Sequence, residues 1–146
     1  MAQVRLSKKQ SPTALHQLMF VLQHMSNELL LAETGAGLSA ALIMSTLDRS
    51  RPLNQRAIAG RLRQTEANVS RQLQVMKKQG LVNVYQNRKD RRQKEVVLTS
   101  KGKRVHDKAL NLLDKQQKDI LKMIESAEAR VFGQTVDNLL RGLQIS

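Results

Sequence analysis

Residues 53–80 read LNQRAIAGRLRQTEANVSRQLQVMKKQG, and this stretch decides the fold. Asn54 is a suitable N-cap for a short helix over residues 55–62, whose apolar side chains face one side. After a two-residue connection, Thr65 can cap a second helix, which Gly80 is well placed to end. Two short helices joined by a tight turn predict a helix-turn-helix motif.

The periodicity changes after this motif. Leu81, Val82, Val84 and Tyr85 predict one short strand and the stretch from Glu95 to Leu98 predicts another, antiparallel to the first. Residues 87–92 between them read NRKDRR, a highly charged hairpin tip. A basic β-hairpin directly after a helix-turn-helix is typical of a wing.

The rest of the chain predicts four helices. Ser11 is expected to cap the first, with Pro12 at its first helical position, and Gly35 to end it. The four extend over residues 12–34, 38–47, 100–125 and 127–143. The predicted fold is therefore mainly α, a winged helix-turn-helix with a short antiparallel β-hairpin wing and long terminal helices.

The net charge of +13 is concentrated in the middle of the chain. Between Arg49 and Lys108 there are 17 basic and 4 acidic residues, so this stretch contains the whole excess. A basic segment within a neutral frame indicates a surface for a polyanion. Aromatic residues, on which single-stranded nucleic acids stack, are few, and duplex DNA is the favoured partner.

The second helix of the motif has the side chains that read and hold DNA. Arg can recognise guanine bidentately and Asn or Gln can recognise adenine, whereas Ser and Lys more often bind phosphate. We expect Asn68 and Arg71, near the helix start, to read bases. The full predicted set on this helix is Thr65, Asn68, Ser70, Arg71, Gln74 and Lys77. In the wing it is Arg88, Lys89, Arg91 and Arg92, with Asp90 orienting a neighbouring arginine through an ion pair.

These motifs together resemble the MarR family of bacterial transcriptional regulators. The matching segment runs from Leu53 to Gly102, and its most specific parts are Asp90-Arg91-Arg92 in the wing and Leu98-Thr99-x-x-Gly102 after it. The turn departs from the pattern, because Arg63 and Gln64 stand where a glycine and an apolar residue are common.

The resemblance implies one domain over residues 1–146 that works as a homodimer. Residues 11–37 and 100–146 would form the dimerisation helices, and residues 38–99 the DNA-binding region. The implied function is that of a ligand-responsive repressor of a pseudo-palindromic operator, with a small-molecule effector of unknown identity. On physical grounds too, the apolar stripes of the terminal helices exceed what the central unit can cover.

Other functions find little support in the sequence. There is no cysteine, no phosphate-binding glycine loop and no nucleophile motif, so we expect neither an enzyme nor a cofactor. His16 and His24 lack further ligands at metal-binding spacing, so no metal is expected. No secretory signal is apparent, and a cytoplasmic location without membrane attachment is expected. Two alternatives stay open: a winged-helix module whose basic face binds an acidic protein or a membrane surface, and an architectural DNA binder without a preferred site.

Overall fold

The computed structural model describes residues 11–48 and 52–143. The predicted polar N-terminus (1–10) and the end of the predicted dimerisation region (144–146) lie outside the described residues. The elements, in chain order, are α1 (Ala14–Thr34), α2 (Leu38–Asp48), β1 (Leu53–Asn54), α3 (Gln55–Leu62), α4 (Glu66–Lys78), β2 (Val82–Gln86), β3 (Lys94–Leu98), α5 (Ser100–Leu121) and α6 (Ser126–Leu143). The mainly α winged helix-turn-helix fold predicted from the sequence is confirmed.

The first helix begins later than predicted. Ser11 starts a turn rather than the helix: its Oγ accepts the N–H of Thr13 at 3.3 Å, and its carbonyl accepts the N–H of Ala14 at 3.0 Å. At the other end Gly35 has φ = 73°, a conformation that glycine adopts at little cost, and its N–H binds the carbonyl of Leu31. The predicted end of α1 is confirmed.

The sheet has three strands, whereas the sequence predicted a two-stranded hairpin. β3 lies in the middle, antiparallel to both β1 and β2. β1 pairs Leu53 with Val96, directly before α3 begins. The base of the wing is therefore joined to the first helix of the helix-turn-helix by a ladder of backbone hydrogen bonds.

The described residues form two compact units, which are divided between Ala109 and Leu110. The core of the first unit draws one or more side chains from each of α1 to α4 and from both strands of the hairpin. Its largest fully buried side chains are Leu30, Ile43, Met44, Ile58, Met76, Val69, Val82 and Val96. Burial of one such side chain stabilises the fold by about 1.5–3 kcal/mol, so this core fixes where the two helices of the motif lie.

A close junction joins the end of α4, the wing and the start of α5. Gly80 has φ = 74° and ends α4 as predicted. Thr99 donates its backbone N–H to the carbonyl of Leu81 at 3.1 Å, and its Oγ1 accepts the N–H of Gly102 at 2.9 Å. Gly102 is buried so tightly that a Cβ added there would lie 2.0 Å from the carbonyl oxygen of Leu81.

The second unit exposes apolar surface. None of the described residues of α6 is buried, yet one side of this helix is apolar: Val131, Phe132, Val136, Leu139, Leu140 and Leu143. α5 ends at Leu121, four residues before the predicted end, because its last turn tightens into hydrogen bonds three residues apart, such as that from Met123 to Ile120.

Among residues 11–48 and 52–143, no single helix is long and apolar enough to cross a membrane. α1 and α2 meet that test only as a pair, with a bend of 79° between them.

Candidate nucleic-acid interface

The first helix of the motif is held at its start and along its inner side. The Oδ1 atom of Asn54 accepts the N–H of Ala57 at 2.7 Å, which confirms the predicted N-cap. Ile58 and Ala59 are buried in the core. These contacts leave Arg56 and Arg61 exposed.

The turn between α3 and α4 has a left-handed residue. Arg63 has φ = 51°, and the N–H of Gln64 reaches back to the carbonyl of Ala59 at 3.0 Å. This conformation costs a residue with a side chain about 1–2 kcal/mol, so glycine would fit this position with less strain. The chain retains an arginine at this position, next to the start of α4.

α4 has the two faces that a recognition helix requires. Thr65 caps it, with its Oγ1 accepting the N–H of Asn68 at 3.2 Å, and Val69, Leu73 and Met76 are buried on one side. Of the predicted contact residues, Ser70 and Asn68 are half-buried, and the remainder are exposed: Thr65, Arg71, Gln74 and Lys77.

The amide of Asn68 has a contact that the sequence did not predict. Its Nδ2 donates to Oε1 of Gln64 at 3.0 Å, and Nε2 of Gln72 donates to the same oxygen at 3.2 Å. The turn thus reaches one of the two expected base readers through a side-chain hydrogen bond. The sequence shows Gln64 only as a polar residue in the turn, since sequence spacing does not show where an amide points.

The tip of the wing is built on side chains that bind the backbone. Oδ1 of Asn87 accepts the N–H of Lys89 at 2.8 Å, and Nε2 of Gln86 donates to the carbonyl of Arg91 at 2.7 Å. These contacts shape a closed loop from which all four predicted cationic side chains extend into solvent: Arg88, Lys89, Arg91 and Arg92.

Asp90 has a different contact from the predicted ion pair. Its Oδ1 accepts the backbone N–H of Arg92 at 3.0 Å, and among the described residues no Lys or Arg side chain lies within 4.0 Å of its carboxylate. A carboxylate two residues before an N–H commonly stabilises a turn in this way. Asp90 orients the backbone at Arg92 rather than a guanidinium.

The cationic side chains of α4 and of the wing face no described carboxylate within 4.0 Å. In this region the ion pair that the structure shows is Arg56 with Glu66, at 3.9 Å between two exposed side chains. That contact places Arg56 beside the start of α4. Arg56 is not among the residues predicted from the sequence. Its charge was a usable signal, because the first helix of a helix-turn-helix crosses the DNA backbone.

The end of α4 is tied to the neighbouring helices. Nε2 of Gln79 donates to the carbonyl of Gly35 at 2.9 Å, and Nζ of Lys101 donates to the carbonyl of Gln79 at 2.8 Å. Nζ of Lys108 in turn donates to the carbonyl of Glu33 at 2.8 Å. The far end of the helix is therefore anchored to α1 and α5, which sets its direction.

Residues 38–94 match the model of the MarR family. The segment covers α2, the helix-turn-helix and the wing up to the first residue of β3. The resemblance to the MarR family expected from the sequence is confirmed. Among curated proteins, no sequence shows a significant match.

Solved MarR structures resemble the fold over nearly the whole chain. A MarR transcriptional regulator from Methanosarcina mazei Go1 has a TM-score of 0.78 at 21% identity, covering 92% of this chain and 96% of its own. MepR of S. aureus, solved as a complex with DNA, has a TM-score of 0.76 at 17% identity, with 92% and 100% covered. PcaV of Streptomyces coelicolor, in complex with its natural ligand, has a TM-score of 0.74 at 18% identity, with 97% and 98% covered. At these identities the likeness shows the fold.

Proposed function

We propose that this protein is a sequence-specific DNA-binding transcriptional regulator that acts as a homodimer. The observation that supports it best is the pair of surfaces described above: the outer face of α4 and the wing tip. Both expose cationic side chains that no described carboxylate neutralises, so they are available to phosphate. The proposed function requires no catalytic step. The proposed location of the protein is the cytoplasm, where a bacterial chromosome lies.

In the proposed complex each subunit places α4 in a major groove and the wing in a flanking minor groove. Arg71 and Asn68 are assigned to base edges, because they lie in the first turns of α4. Gln74 is the third candidate reader on this helix. Thr65, Ser70 and Lys77 are assigned to phosphates, and so are the wing residues Arg88, Lys89 and Arg91. Arg92 is proposed to enter the minor groove.

The exposed apolar faces of the terminal helices support the homodimer. On α1, Phe20 is 76% exposed and Leu15 is 61% exposed, and α6 presents an apolar side as well. Contiguous apolar surface of this kind marks an interaction site, and a symmetric partner offers the same faces in return. Two recognition helices about 34–36 Å apart would then match a pseudo-palindromic operator.

A groove beside α4 supports the proposal that a small-molecule effector binds the protein and releases it, as a repressor, from DNA. It has a volume of about 330 Å³ and lies between the α1–α2 connection and α4. Leu31, Val75 and Met76 provide apolar lining, and Arg71 lies at its edge. A small apolar molecule bound here would contact the proposed base-reading helix directly, so its binding and DNA binding would be coupled.

The test is duplex binding measured by fluorescence anisotropy, with operator candidates recovered from random duplex by selection. A logarithmic plot of affinity against salt should fall with a slope of roughly −0.9 for each phosphate contact. Arg71→Ala should relax the selected sequence preference. Lys115→Ala, which removes the same charge from an exposed site on α5, is the matched control and should leave the preference intact.

The remaining outcomes identify the alternatives. Absence of duplex binding at about 50 mM salt would refute the proposal and favour a module for an acidic protein or a membrane surface. Equal affinity for all duplexes would favour an architectural protein.

A further inference from the structure

We propose that Gln64, in the turn before α4, is a positioning residue that fixes the amide of Asn68 for reading one adenine. This inference rests on the proposed DNA-binding function. The observation behind it is the cluster of three amides in which Gln64 accepts hydrogen bonds from both Asn68 and Gln72.

One oxygen of Gln64 binds two donors. Oε1 of Gln64 lies 3.0 Å from Nδ2 of Asn68 and 3.2 Å from Nε2 of Gln72. A carbonyl oxygen has two lone pairs, so these two contacts satisfy it. Gln64 is itself half-buried and follows the left-handed Arg63, whose conformation directs the chain into α4.

The surroundings of Gln72 determine which way these three amides are oriented. Oε1 of Gln72 is buried and has no partner among the described residues. If all three amides were rotated, the NH₂ group of Gln72 would be buried there instead, with two hydrogens unsatisfied. Orphaned buried N–H groups are rarer than orphaned carbonyl oxygens. Rotation of Gln64 alone would bring its NH₂ group against two other NH₂ groups.

The amide of Asn68 still has groups that can bind a base. Nδ2 has two hydrogens, and Gln64 takes one of them. The hydrogen on the same side as Oδ1 forms, together with Oδ1, the edge that binds N7 and N6 of adenine bidentately, and a bond to Gln64 through the opposite hydrogen leaves this edge complete. An amide free to rotate would present this edge only part of the time, whereas the contact with Gln64 holds it in one plane.

The experiment measures base discrimination by the full-length protein. Duplexes are used that differ from the selected site at single positions, each with the four bases. Asn68→Ala identifies the base pair that Asn68 reads. At that pair the wild type should prefer adenine by about 5- to 150-fold, the range of a good bidentate contact.

Gln64→Met keeps the length of the side chain but removes the accepting oxygen. It should reduce the adenine preference at that pair about fivefold or more and leave discrimination at other pairs unchanged. Gln64→Glu keeps an acceptor and should retain the preference, although its charge lowers affinity for every duplex. The double variant Gln64→Met/Asn68→Ala should discriminate no worse than Asn68→Ala alone, since both changes act on one contact.

The outcomes separate this inference from the function on which it rests. Unchanged adenine preference in Gln64→Met, or a loss that adds to that of Asn68→Ala, would overturn the positioning role. So would an Asn68→Ala variant with unaltered preference at every pair. A wild-type protein that binds no duplex would instead overturn the proposed function. Should Gln64→Met fold poorly, loss of the preference in Gln64→Glu would contradict the inference as well.

Discussion

Substitution of Gly102 by alanine tests whether the junction of α4, wing and α5 is as close as the structure shows. The added Cβ would lie 2.0 Å from the carbonyl oxygen of Leu81, against the 3.4 Å at which ordinary contact begins, so the two must separate by about 1.4 Å. Overpacking of this kind costs about 1–3 kcal/mol. The same carbonyl accepts the N–H of Thr99, and loss of that hydrogen bond costs about 1 kcal/mol more. Alanine regains about 0.5–1 kcal/mol in a helix, which leaves a net loss of about 2 kcal/mol.

Thermal unfolding followed by circular dichroism measures this loss. For a chain of this size 1 kcal/mol corresponds to about 2–4 °C, so the Tm should fall by about 4–8 °C. Gly60→Ala is the control, since no atom lies within 4 Å of a Cβ at that exposed position in α3, and its Tm should stay or rise. A Gly102→Ala protein as stable as the Gly60→Ala protein would refute the reasoning.

Four further predictions concern the caps, the wing and the dimer. Asn54→Ala removes the hydrogen bond to the start of α3 and should cost about 1 kcal/mol in urea unfolding; an unchanged midpoint would contradict the cap. Asp90→Ala releases the backbone at Arg92, so duplex affinity should fall while the Tm stays; equal affinity would mean that the wing tip needs no such contact. Arg88→Ala should make the logarithmic salt slope shallower by about 0.9, and the wild-type slope would rule out a phosphate-neutralising role for this side chain. Leu139→Lys places a charge on the apolar side of α6 and should shift sedimentation towards a monomer, unlike the exposed polar change Arg130→Ala; a dimer at all concentrations would exclude α6 from the interface.

Local signals account for the parts of the fold that could be predicted. Asn54 and Thr65 cap their helices as expected, and Gly35 and Gly80 end theirs, because each acts on residues within one turn. The apolar pattern predicts the ends of both wing strands that border the hairpin tip to within one residue: 85 against the observed 86, and 95 against the observed 94. Such features depend on the neighbouring few residues, which the sequence displays directly.

Contacts over longer distances could not be predicted. β1 has only two residues, too few to show an alternation, and its partner Val96 lies 43 positions further along the chain. The shared amide oxygen of Gln64 and the contact of Asp90 with the backbone depend on side-chain rotamers that periodicity does not specify. The bases or phosphates that α4 contacts stay predictions for the same reason, since they depend on a partner molecule.

The ties at the end of α4 have a consequence for how this protein tolerates mutation. Gln79, Lys101 and Lys108 are the donors, and each binds a main-chain carbonyl. Any amino acid at position 33 would supply the carbonyl that Lys108 binds, whereas Gly35 has φ = 73° and Gln79 is itself a donor. A substitution at an accepting position such as Glu33 therefore leaves the bond intact, whereas replacement of a donor removes it. The direction of α4 consequently depends on Gln79 and Lys101, which bind at its end, and on Lys108 only through the contact between α5 and α1. In the proposed complex, variants that change how α4 lies against DNA should therefore be found at the donors Gln79, Lys101 and Lys108 more often than at Glu33.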